Sequence, residues 1–137
     1  MKIIESAGLL IIQDNKMLLA HPSKAPWYGT YTIPKGKVEE GESYVDTAIR
    51  ETKEEIGIVI NKNDVDKDSM DIINYADEKG RIYKKVIYFL VHPKDKINID
   101  NTKLDKREVD WAGFLGRYDA LDRIFWRFEE LINYLDK

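Results

Sequence analysis

The chain contains no cysteine. That excludes disulfides, thiol nucleophiles and cysteine-bound zinc, and it agrees with an expected reducing, cytoplasmic location. Histidine is scarce. His21 falls in a predicted loop and His92 at a predicted strand end before Pro93; neither joins a serine–histidine–aspartate arrangement, and both read as ordinary polar surface. No apolar run approaches membrane-spanning length and no secretory pattern opens the sequence, so neither a membrane nor export is expected. Neither sign of charge dominates: 22 Lys and Arg against 25 Asp and Glu give −3, so no strongly basic surface advertises DNA as a partner. Repeats, low-complexity tracts and long linkers are also missing. A 137-residue chain that is 43% hydrophobic fits one globular domain over residues 1–137.

What is present reads as strands alternating with two helices, which indicates an α/β arrangement. Ala7–Ile12 and Met17–Ala20 form a predicted hairpin around Asp14-Asn15. His21–Gly29, with two prolines and a glycine, is a loop, and Thr30–Ile33 a short strand ending at Pro34. Ile58–Ile60 can begin a strand and Asn61–Ser69 is turn-like. Asp71–Ala76 and Tyr83–Val91 are predicted strands around the Asp77–Gly80 turn. Pro93–Lys106 is a long polar connection, Val109–Phe114 a strand and Ala120–Leu135 one amphipathic helix.

The stretch from Gly36 to Ile58, GKVEEGESYVDTAIRETKEEIGI, carries the chemistry. Its middle is a predicted helix with Ser43 as N-cap, Asp46 as the reciprocal partner of a capping box, and Gly57 as a left-handed stop. Val45, Ala48, Ile49, Thr52 and Ile56 share one stripe that enters a core. Glu51, Glu54 and Glu55 lie beside it, three and four residues apart, so their side chains converge. Taken alone, such a helix is usually a solvated face. If it is not, three neighbouring carboxylates repel one another, and a hard cation such as Mg²⁺ reverses that cost while keeping room for water and phosphate oxygens. Arg50 can pair with Glu54, its i+4 neighbour, and hold that carboxylate in place.

Gly36, Glu42, Arg50, Glu51, Glu54, Glu55, Gly57 and Ile58 follow the order G-x5-E-x7-R-E-U-x-E-E-x-G-U, where U is usually bulky and apolar. In this order the chain resembles the Nudix hydrolases. Thr52 departs from the pattern at the first U. The resemblance implies a mixed sheet sandwiched between helices, an α/β/α fold whose loop–helix–loop cuts a diphosphate linkage. It implies Mg²⁺, with Mn²⁺ able to substitute, held by Glu51, Glu54 and Glu55. The absence of cysteine disfavours coenzyme A as substrate; an absent Trp/Pro/Ser-rich run disfavours NADH. No proline occurs between Pro34 and Pro93, which disfavours ADP-ribose.

The run Pro34-Lys35-Gly36-Lys37 is similar to branches acting on diadenosine and diphosphoinositol polyphosphates, with Lys35 where triphosphate-cleaving relatives carry a second glycine. Lys35 and Lys37 place two ammonium groups beside the expected metal, although loop lysines are commonly just solvated. Tyr75 stands at the distance after the motif where relatives cleaving dinucleoside polyphosphates carry a tyrosine. Its ring can stack on adenine, or it is a cross-strand aromatic. Trp27 and Tyr28, in a Pro/Gly loop, are rival base platforms. For the general base, Glu55 and Glu108 are both candidates; Glu108 resembles a downstream glutamate that precedes the last sheet strand in relatives. Dinucleoside polyphosphates lead as substrate, then inositol pyrophosphates, then nucleoside triphosphates; capped or triphosphorylated RNA stays open as a partner. A binding-only regulatory module is the reading from another class, disfavoured because every motif carboxylate is retained.

Overall fold

The structure, a computed structural model, describes residues 2–136. It is built on a six-stranded mixed sheet. In chain order the elements are β1 (Ile4–Gln13), β2 (Lys16–Pro22), β3 (Lys35–Lys37), α1 (Tyr44–Ile56), β4 (Val65–Ala76), β5 (Ile82–Val91), β6 (Val109–Leu115) and α2 (Arg117–Arg123), with short 3₁₀ helices between them and a longer one at Trp126–Tyr134. Strand order is β4-β5-β1-β2-β6, with β3 also pairing β1. The β1–β5 pair is parallel and the others antiparallel.

The hairpin turns at Asp14 and Asn15, both with positive φ, as a two-residue turn matched to strand twist requires. Its strands then part: β1 pairs β2 at Ile12 and Gln13, but pairs β3 at Ser6, Ala7 and Gly8. This splay admits Lys35–Lys37 into the sheet and fixes the backbone at the start of the motif.

Alternation along β1 divides the core. Leu9 and Ile11 face α1, packing with Ala48 and Ile56; Leu10 and Ile12 face the other side, packing with Phe128 and Leu131. Helices on both faces of a mixed sheet are the sandwich the sequence implied. Helix α1 behaves locally as expected. The Ser43 side chain accepts from Asp46 N–H at 3.1 Å, and Gly57 ends the helix at φ 75°. The capping box is one-sided, because the Asp46 carboxylate turns instead to Lys62 at 3.0 Å. Thr52, the departure from the motif, is fully buried, and its hydroxyl donates to the Ala48 carbonyl at 2.8 Å.

Other expectations change. Ile58–Ile60 forms no strand, and the turn-like segment after it is shorter than read, since β4 already starts at Val65. Tyr31 and Thr32 make isolated bridges rather than a strand. The single helix over Ala120–Leu135 is broken at Ile124 and Phe125, because those backbones pair elsewhere. The Arg123 carbonyl accepts from Thr30 and Tyr31 N–H at 2.9 and 2.8 Å, and Phe125 N–H donates to the Tyr31 carbonyl at 2.8 Å. Tertiary hydrogen bonds thus replace helical ones. Among the described residues no helix is long and apolar enough to cross a membrane.

Candidate active site

Helix α1, β3 and the turn before β6 enclose a polar cavity of about 300 Å³ lined by Lys35, Gly36, Lys37, Glu51, Glu54, Glu55, Asp105 and Glu108. The structure therefore gathers all four sequence-predicted glutamates. Glu51 lies against β3: a Cβ at Gly36 would overlap its carboxyl group, so glycine is needed there. Arg50 organises this side. Its guanidinium makes a forked pair with Glu42 at 2.6 and 2.9 Å, and donates to Glu51 at 2.8 Å, Glu54 at 3.1 Å and the Lys37 carbonyl at 3.1 Å. The partner foreseen, Glu54, is thus one of several. That pairing holds the Glu42 carboxyl down at about 2 and raises Arg50 above its ordinary value.

Glu55 is different. It accepts the Lys35 backbone N–H at 3.2 Å, and burial, reinforced by the Glu51 charge, pushes its carboxyl well above the ordinary range. Glu51 is raised too, again mainly by burial and against the pull of Arg50. Glu54 remains half exposed.

Glu108 sits on a turn tied at both ends. Its N–H donates to the Asp105 carbonyl at 2.9 Å, Asp105 N–H donates to the Glu55 carbonyl at 2.9 Å, and the Glu108 carbonyl accepts from Ser23 N–H at 3.0 Å. Among the described residues, the Glu108 carboxylate makes no hydrogen bond or ion pair within the protein.

A divalent cation fits the chemistry of this donor set. Every side-chain ligand on offer is a hard carboxylate oxygen, and Glu51 and Glu55, raised mainly by burial, are groups whose ionised forms a bound cation would favour. The side chains do not yet stand around one point. Among the described residues no three acidic or histidine groups are drawn together as a ready coordination sphere. Arg50 occupies oxygens of Glu51 and Glu54 that a metal would need.

Lys35 bridges two environments. Its N–H points to Glu55, while its side chain runs to the opposite face of the sheet, where the ammonium lies 5.9 Å from the Phe128 ring centre. Burial and the nearby Lys84 charge lower its pKa. Tyr75 lies on that same face, with the Lys84 ammonium 5.1 Å and the Arg127 guanidinium 4.5 Å from its ring; Arg127 also lies 4.4 Å from the Trp126 ring. None of Lys35, Lys84 and Arg127 forms an ion pair among the described residues.

Lys84, Arg127 and Asp105 were missed by sequence reasoning. Alternation along β5 could have found Lys84, which shares a face with Val86 and Tyr88; nothing local marks Arg127. Trp27 and Tyr28 do not line the cavity. Trp27 stacks on His21, with ring centres 3.8 Å apart, and Tyr28 lies under Arg123. His21 itself is no surface group but 1% exposed.

The NUDIX domain model matches residues 2–130. Among curated proteins, an ADP-ribose pyrophosphatase of Methanocaldococcus jannaschii is 27% identical over 119 residues, 74% of this chain and 70% of that protein. A bis(5'-nucleosyl)-tetraphosphatase [asymmetrical] of Caenorhabditis elegans is 32% identical over 113 residues, 80% of this chain and 77% of that protein. The mRNA-decapping protein g5R of African swine fever virus is 28% identical over 130 residues; the match takes in 93% of this chain but only 50% of that protein, so the chain spans about half its length. The solved C. elegans Ap4A hydrolase binary complex superposes with a TM-score of 0.73 at 28% identity, covering 96% of this chain and 93% of that one.

Proposed function

The chain belongs to the Nudix family, and from that membership we propose that it is a Mg²⁺-dependent pyrophosphohydrolase of dinucleoside polyphosphates. One observation carries the substrate choice. Strand β3 has an acidic cavity on one side and an aromatic–cationic face on the other, joined through Lys35. A polyphosphate with a base at its end is complementary to both: its metal-bound phosphates suit the glutamates, its remaining charge suits Lys35, Lys84 and Arg127, and its base suits Tyr75.

Glu51, Glu54 and Glu55 would hold the cation. When bound, Mg²⁺ polarises a phosphoryl oxygen and lowers the pKa of water. The chain's own groups do the rest. Arg50 fixes Glu42, Glu51 and Glu54 relative to β3. Lys37, which lines the cavity, lowers the charge repulsion an incoming water oxygen meets at phosphorus, while Lys35, with its ammonium on the far face, meets the rest of the polyphosphate charge. Glu108, with its oxygens unclaimed by the protein, takes the proton of the attacking water. The new P–O bond forms as the bridging P–O bond breaks, and the departing phosphate keeps that electron pair.

The viral relative supports RNA 5′ ends as a second reading. A substrate panel separates them: dinucleoside polyphosphates, inositol pyrophosphates, nucleoside triphosphates, ADP-ribose, and capped or triphosphorylated RNA, with products identified by mass. The greatest kcat/KM is expected on dinucleoside polyphosphates. No product from any of them, at saturating Mg²⁺ or Mn²⁺, returns the chain to a binding-only module.

A further inference from the structure

His21 lies outside the acidic cavity and is nonetheless tied to it. Its Nδ1 stands 2.5 Å from Asp110 Oδ1 and its Nε2 3.0 Å from the Pro26 carbonyl. Both partners are acceptors, the carbonyl always and the carboxylate when ionised. A neutral imidazole has one N–H and one lone pair, so it can satisfy one of them and must turn a lone pair on the other. With the ring 1% exposed, no water can mediate. Both contacts are satisfied when Nε2 carries a proton toward the Pro26 carbonyl and one proton lies between Nδ1 and the Asp110 carboxyl. Trp27 stacks over the ring at an interplanar angle of 6° and Tyr31 packs against it at 5.1 Å between centres, so the ring is held in place on two sides. The titratable groups facing the ring are Asp110 from β6 and Tyr31 from the bridging segment, with Arg123 of α2 against the Tyr31 hydroxyl.

Asp110 reaches His21 because of a β-bulge. His21 pairs with Trp111 and Pro22 with Val109, so Asp110 is the unpaired residue on β6. Two positions before it is Glu108. The loop that His21 pins through Pro26 also holds the Glu108 turn: Ser23 N–H donates to the Glu108 carbonyl at 3.0 Å, and Ser23 Oγ donates to the Lys106 carbonyl at 2.7 Å.

We propose that His21 is a positioning residue: a buried imidazole, clamped between Asp110 and the Pro26 carbonyl, that holds the Ser23 loop and thereby fixes the Glu108 turn over the acidic cavity. The catalytic consequence rests on the reading of Glu108 given above; the clamp and its effect on the turn do not.

Asp110→Asn keeps the shape and removes the charge, and His21→Gln removes the ring. Amide exchange at Glu108 and Val109 is expected to accelerate at least about tenfold in Asp110→Asn while the α1 amides keep their protection, a difference a general loss of stability would not give. On the substrate that the panel selects, both variants are expected to lower kcat with KM unchanged, and to add nothing in a Glu108→Gln background. Unchanged exchange at Glu108 in Asp110→Asn overturns the clamp even if the enzyme is fully active. A kcat loss that is additive with Glu108→Gln overturns its role in positioning that carboxylate. A wild type that cleaves nothing overturns the hydrolase reading and the catalytic consequence together, while the exchange result still decides the clamp.

Discussion

The two sides of β3 hold opposite electrical problems. On the α1 side, Glu42, Glu51 and Glu54 share one guanidinium, and Glu55 and Glu108 add two further carboxyls to the cavity. On the Phe128 side, Lys84 and Arg127 lie against Tyr75 and Lys35 over Phe128, with no ion pair to a carboxylate among the described residues. In a protein of net charge −3 the cations of this second face could readily have been neutralised, and they are not. Each side lacks what a metal–polyphosphate complex supplies, a cation for one and an anion for the other. The net charge, taken over the whole chain, conceals this division.

If the acidic side is where chemistry occurs, changes there should act on kcat and changes on the cationic side on KM. The largest effect is expected from Glu54→Gln. Glu54 is half exposed and contributes little to packing, so the fold should survive, while kcat falls at least about a hundredfold at saturating Mg²⁺, beyond what loss of an outer partner costs. Steady-state kinetics with a melting curve checks this; unchanged kcat would remove the glutamates from the mechanism. Next is Arg50→Lys, which keeps the charge and loses the fork. A point charge cannot hold Glu42 at both oxygens and reach Glu51 and Glu54 as well, so a loss of roughly 10–100-fold in kcat or in metal affinity is expected, measured by activity against Mg²⁺ concentration. On the other side, Tyr75→Ala should raise KM by roughly 5- to 150-fold, the equivalent of about 1–3 kcal/mol of base stacking, with kcat nearly unchanged. If Tyr75→Ala instead lowers kcat alone, the division between the two faces fails.

How much of this was legible in the sequence follows from how local each feature is. Helix α1 with its cap, stop and three glutamates was readable because capping and helical spacing act within a few residues. The meeting of Glu55 with the Lys35 backbone was not, since it depends on the splay of β1 from β2 that seats β3. Distance from the motif singles out Tyr75 as a candidate, whereas Arg127 approaches its ring from beyond the point, Ile124, where tertiary bonds break the expected helix. His21 was misread because it is buried within β2 under Trp27, and its partner Asp110 is freed by a bulge in β6, a strand far away in sequence. Residues whose role is set by register or by a bulge leave no periodic trace.

The smallest expected effect tests the acidic side without substrate. Burial raises Glu55, and in lesser part Glu51, above the ordinary carboxyl value; Arg50 depresses Glu42. These act in separate pH windows. For Glu42 the folded form is the better acid, so its contribution is complete above the unfolded value near ~4.3 and is lost only as pH falls toward 2. For Glu55 the folded form is the weaker acid. As pH rises past ~4.3 the unfolded chain ionises first, and stability declines until Glu55 itself ionises. Between pH 5 and 7 Glu42 is therefore constant and Glu55 dominates the pair. Lys35, lowered by the same burial, gains from rising pH only once it begins to lose its proton. The metal-free protein should thus lose stability from pH 5 to pH 7 by at most about 1.4 kcal/mol per unit for one carboxyl, a fall of several degrees in Tm. Saturating Mg²⁺, which favours the ionised glutamates, should flatten that slope, and Glu55→Gln should flatten it without metal. A slope that persists in Glu55→Gln would mean the strain lies elsewhere, and the acidic side would then need no cation to explain its charge.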